Sequence, residues 1–73
     1  MNNGIKISLS AARTNANMTQ KEVAENLGVS NNTIVAWEKG ISEPKISQAI
    51  ALSELYKIPM DNLIFLPVKS NYI

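Results

Sequence analysis

The chain has no cysteine and no histidine in 73 residues, and only one tryptophan, one phenylalanine and two tyrosines. Without cysteine there is no disulfide framework and no thiolate metal site, so a domain of this size folds on packing alone or with a partner. Without histidine as well, zinc sites of the His/Cys type, imidazole acid-base catalysis and cysteine nucleophiles are excluded. No metal, cofactor or small-molecule ligand is expected, and no enzyme. Apolar runs are short: none approaches the about 18 residues that span a bilayer. The start, Met1-Asn2-Asn3-Gly4, lacks the charged and apolar regions of a signal peptide, which makes the cytoplasm the expected compartment. Charge of one sign is scarce too. Six lysines and one arginine face six acidic residues, for a net charge of +1, which by itself makes no case for a nucleic-acid partner.

What is present is helical periodicity with clear punctuation. A hydrophobic content of 45% with 18% charged residues is that of a globular chain. We expect one domain over 1–73, its core at about 7–65 and a tail at 66–73. Ile5, Leu9, Ala12 and Ala16 fall on one face of a first helix, although Ile5-Lys6-Ile7-Ser8-Leu9 also alternates like a strand, so the helix is assigned only from about Ser8. Thr19 followed by Glu22 reads as a capping box opening a second helix, with Val23, Ala24 and Leu27 inward and Gly28 as its stop. Ser30 caps a third helix from Asn31 toward Lys39, ended by Gly40. Its wheel sets Ile34, Trp37 and Glu38 on one side and Asn32, Val35, Ala36 and Lys39 on the other. After the Pro44 loop, Ile46, Ala49, Ile50, Leu52 and Leu55 or Tyr56 mark a fourth helix, and Pro59 suits the first turn of a last short helix over 60–64.

Two short helices joined by a tight glycine turn, over 20–39, make a helix-turn-helix. Ala24 has to be small where the second helix crosses the first, and Gly28 turns the chain at positive φ. Val23, Leu27, Val29, Ile34 and Trp37 fill the angle between the two. The run Gln20-Lys21-Glu22-Val23-Ala24 through Ala36-Trp37-Glu38-Lys39-Gly40, with Arg13 before it and Pro44, Ile58, Asp61 and Leu63 after it, resembles the phage repressor/Cro (Xre) family. That resemblance implies an all-α, five-helix, lambda-repressor-like bundle that binds operator DNA in the major groove, usually as a dimer. It implies base-reading positions at Asn31, Asn32, Thr33 and Ala36, a phosphate anchor at Gln20, and an internal salt bridge between Arg13 and Glu38.

The chemistry of these residues fits. Asn pairs with adenine N6 and N7, and Val35 and Ala36 offer apolar contact to a thymine methyl, whereas the third helix has no Arg or Gln to read guanine. Asn also caps helices, but Ser30 holds that position here. Thr19, Gln20, Lys21, Lys39 and Lys45 are the expected phosphate contacts. Lysines also simply solvate a surface, and Lys39 complements the carbonyl end of its helix. Trp37 is read as core. Over 19–45, three lysines face four glutamates, so one copy would make few phosphate ion pairs and bind weakly. A homodimer through Phe65-Leu66-Pro67-Val68 and Tyr72-Ile73 would offset this. The function expected is a sequence-specific transcriptional regulator, in the main a repressor. The rival is a protein-interaction module, such as the antitoxin half of a toxin pair, on the same fold.

Overall fold

The computed structural model describes residues 5–66. The expected dimer segment therefore lies outside the described residues from Pro67 onward. The order is β1 (Ile7–Ser8), α1 (Leu9–Asn15), α2 (Gln20–Leu27), α3 (Asn31–Lys39), α4 (Ile46–Tyr56), a single 3₁₀ turn (Met60–Asn62) and β2 (Leu63–Ile64). Each boundary has a local cause. Ser8 caps α1 by accepting from the Ala11 amide at 3.1 Å. Thr19 accepts from the Glu22 amide at 3.0 Å while Glu22 Oε1 accepts from the Thr19 amide at 2.8 Å, closing the capping box of α2. Ser30 caps α3, and both α2 and α3 stop on a left-handed glycine, Gly28 at φ 73° and Gly40 at φ 76°. α4 ends differently. Lys57 takes the left-handed position at φ 59°, and the Ser53 hydroxyl donates to the Ile58 carbonyl at 2.6 Å just beyond it.

Leu9, Ala12, Val23, Ala24, Ile34, Trp37, Leu52, Tyr56 and Leu63 close one core, with Leu27, Val29 and Leu55 packed partly buried against it. Ile34, Leu52 and Val23 are its largest fully buried side chains.

The architecture is helical, but the described residues hold four α-helices rather than the expected five. The stretch expected as a last helix over 60–64 makes only one 3₁₀ turn. Leu63 and Ile64 then run extended, because they find backbone partners: β2 pairs in parallel with β1, Ile7 against Leu63 and Ser8 against Ile64. Of the alternating stretch Ile5–Leu9, only Ile7–Ser8 is strand, and Leu9 already opens α1. Three residues of the expected apolar faces, Ile5, Ile46 and Ile50, are exposed instead. Ile5 is 73% exposed, since the chain there is extended rather than the first turn of α1, and Ile46 is 75% exposed. α4 turns Ala49, Leu52 and Tyr56 inward, at spacings of three and four, which leaves Ile46 and Ile50 on its outer flank.

Candidate nucleic-acid interface

α2 and α3 are held at their angle from beneath. Val23 and Ala24 on one helix and Ile34 and Trp37 on the other are all buried, and the Val29 amide donates to the Ala24 carbonyl at 3.0 Å across the turn. Ala24 at the crossing has no side chain beyond Cβ to keep the helices apart.

A polar network pins the other end of the bracket. Arg13 Nε donates to Glu38 Oε2 at 2.7 Å and Arg13 Nη2 to Glu38 Oε1 at 3.4 Å, so one guanidinium edge spans both carboxylate oxygens. Arg13 Nη1 also donates to the Met18 carbonyl at 3.0 Å. Gln20 Nε2 adds a further donor to Glu38 Oε1 at 3.0 Å. The Glu38 side chain is 8% exposed. Its hydrogen bond raises the Arg13 guanidinium above its ordinary range, outweighing the opposing loss of solvation. Tyr56 lies close enough to sense the pair: burial first, then the Glu38 charge, push its phenol up to about 12, with Arg13 pulling the other way. No feature of the sequence pointed to the Gln20 and Met18 contacts, which join residues that only the packing of α1, α2 and α3 brings together.

The remaining candidate residues divide by what their side chains are free to do. Asn31 and Asn32 occupy the first turn of α3, both exposed, and neither side chain has an internal hydrogen-bond partner among the described residues. Thr33 beside them is half-buried, its hydroxyl 3.0 Å from that of Ser30. Val35 and Ala36 are half-buried further along α3. Lys21, Lys39 and Lys45 are exposed, and among the described residues no carboxylate lies within salt-bridge distance of their ammonium groups. Lys39 and Lys45 bracket the loop after α3, and Thr19, Gln20 and Lys21 sit at the start of α2. Thr19 is spent in part on its cap and Gln20 in part on Glu38.

A helix-turn-helix family model matches residues 9–63, from the start of α1 to β2. The chain belongs to this helix-turn-helix family, of the repressor/Cro type. Among curated relatives, the cryptic phage CTXphi transcriptional repressor RstR of Vibrio cholerae is 36% identical over 52 residues, which are 71% of this chain and 47% of that protein. The HTH-type transcriptional regulator ImmR of Bacillus subtilis is 38% identical over 56 residues, 77% of this chain and 44% of its own. The HTH-type transcriptional activator BcrR of Enterococcus faecalis is 34% identical over 56 residues, 77% of this chain and 28% of its own. The chain thus spans less than half the length of these relatives. No solved structure matches it.

Proposed function

We propose that this chain is a sequence-specific DNA-binding transcriptional regulator of repressor type, non-enzymatic and cytoplasmic, which lays α3 in the major groove. One observation carries the reading: Asn31 and Asn32 are exposed in the first turn of α3 with their amides unspent, on a helix that the core and the Arg13–Glu38 pair hold rigid. The first turn of the second helix is the part of such a motif that meets base edges. The names of the relatives, a repressor, a regulator and an activator, support regulation of transcription. Thr33, Val35 and Ala36 complete the base-facing set, and an A/T-containing half-site suits an Asn amide beside small apolar groups. Thr19, Gln20, Lys21, Lys39 and Lys45 take the flanking phosphates.

The partner in this reading is double-stranded DNA, bound by a homodimer. Few cations flank α3, so one copy gains little from counterion release, whereas two copies on half-sites about 34 Å apart combine their contacts. A second copy is supported by an apolar groove of about 250 Å³ between the start of α4 and the chain after β2, lined by Pro44, Ile46, Met60, Phe65 and Leu66 among others. Ile46, Met60 and Leu66 are exposed there.

Selection from random duplex DNA tests the reading, followed by titration of the selected and random duplexes at two salt concentrations. Salt-sensitive binding to both, tighter for the selected site, is expected. Absence of binding to any duplex would leave the protein-interaction module as the function of the fold.

A further inference from the structure

We infer that Glu38 is a positioning residue for DNA binding: it fixes which end of the Gln20 amide points inward, and so which hydrogen is left for a phosphate. The inference rests on the DNA-binding reading above. A carboxylate only accepts hydrogen bonds, and a Gln amide has one accepting end and one donating end. With Gln20 Nε2 at 3.0 Å from Glu38 Oε1, the flipped amide would set oxygen against oxygen. The nitrogen end is therefore held inward, with one of its two hydrogens on Glu38 and the other without a partner among the described residues. A phosphate oxygen also only accepts, so that second hydrogen is the group of this amide able to meet it.

Arg13 makes the arrangement workable next to an anion. Its guanidinium covers both oxygens of Glu38, at 2.7 and 3.4 Å, so the carboxylate that orients Gln20 has its charge offset before a phosphate approaches. The third Arg13 contact, to the Met18 carbonyl at 3.0 Å, fixes the loop that leads into α2. The rotamer freedom of Gln20 is thus given up on folding rather than on binding, which is the general advantage of a preorganised contact. A pair that joins α1 to α3 then acts on a contact made by α2.

The test is a double-mutant cycle read in affinity for a random-sequence duplex, with Gln20→Ala, Glu38→Asp and both together. Glu38→Asp keeps the negative charge beside Arg13 but draws the carboxylate back by one methylene from both Arg13 and Gln20, and the cycle with Gln20→Ala isolates the part of the loss that acts through Gln20. Each single change is expected to weaken binding about three- to tenfold, the range of one lost hydrogen bond, and the double variant to bind no more weakly than Gln20→Ala. Additive losses, or a loss from Gln20→Ala with none from Glu38→Asp, would overturn the inference while leaving the DNA-binding reading intact. Wild-type protein that binds no duplex would overturn both.

Nuclear magnetic resonance of the Gln20 side-chain amide in the wild-type protein gives the same answer without any variant, should Glu38→Asp unfold. One proton protected before DNA is added and the other shifted by the duplex is the expected pattern. Two protons that exchange with water equally fast in the free protein would count against it.

Discussion

Ile7 pairs with Leu63 in parallel register, tying the residue just before the first helix cap to the far end of the described chain. Asn62 Nδ2 donates to the Ile5 carbonyl at 2.5 Å beside this pair, a second link between the two ends. Leu63 is 5% exposed while its neighbour Ile64 is 38% exposed, as the alternation of a strand requires. Leu63→Ala is therefore expected to destabilise the fold by about 2–4 kcal/mol, and Ile64→Ala by less than about 0.5 kcal/mol. Urea unfolding followed by circular dichroism measures both. Equal shifts of the midpoint would mean that the strand pair does not close the core.

The turn of the helix-turn-helix gives a sharper case. Gly28 has φ 73°, yet a Cβ built there meets no atom within 4 Å. The cost of Gly28→Ala is then backbone strain alone, about 1–2 kcal/mol. Gly28→Asn should cost less, because Asn tolerates the left-handed region. If alanine and asparagine prove equally costly in urea melts, something other than φ governs the turn.

Removing Glu38 exposes the value of the ion pair. Glu38→Ala leaves Arg13 and the Gln20 amide without their acceptor, and we expect a loss of about 3 kcal/mol. Much of that is the penalty of an unpaired cation rather than the worth of the pair, so the Arg13→Ala, Glu38→Ala double variant should be more stable than the sum of the single losses predicts. An unchanged urea midpoint for Glu38→Ala would show that the pair is not part of what holds α1 to α3.

On α3, Asn32→Ala is expected to lower the preference for a selected site by about 1–3 kcal/mol while leaving random-duplex binding nearly unchanged. Lys39→Ala should instead weaken both duplexes alike and flatten the salt dependence. Titrations of the two variants against the two duplexes separate these outcomes, and a parallel loss on both duplexes from Asn32→Ala would remove it from the base-facing set.

The phenol of Tyr56 predicts an alkaline limit. Its ionisation is pushed up to about 12 from an ordinary 10.0, so the folded state holds the proton more tightly than the unfolded one. The stability this represents is present below pH 10 and is lost as pH rises from there through about 12. In Tyr56→Phe, urea midpoints should fall less steeply over that interval, and a phenolate absorbance step centred near pH 12 should disappear from the folded protein's titration. An identical alkaline fall in both proteins would assign it to other groups.

The bracket itself was legible because its determinants are local. Thr19 with Glu22, Ser30 at its cap, and the two glycines at 28 and 40 each act within about a helical turn, so their spacing alone sets where α2 and α3 begin and end. The exposure of Asn31 and Asn32 follows from the same helical period. Other features needed the third dimension. Whether Ile5-Lys6-Ile7-Ser8-Leu9 and the residues after Asn62 run as helix or strand depended on their meeting across more than fifty residues. Which of the apolar residues on α4 face inward depended on where α1 and the 3₁₀ turn pack. The hydrogen bond from Gln20 to Glu38 joins helices that no local pattern relates. Sequence by itself determined the helix-turn-helix and its exposed amides, since capping and periodicity are short-range. Tertiary structure alone decided how the two chain ends close and what orients Gln20, since hydrogen bonds between distant residues exist only once packing has brought their donors and acceptors together.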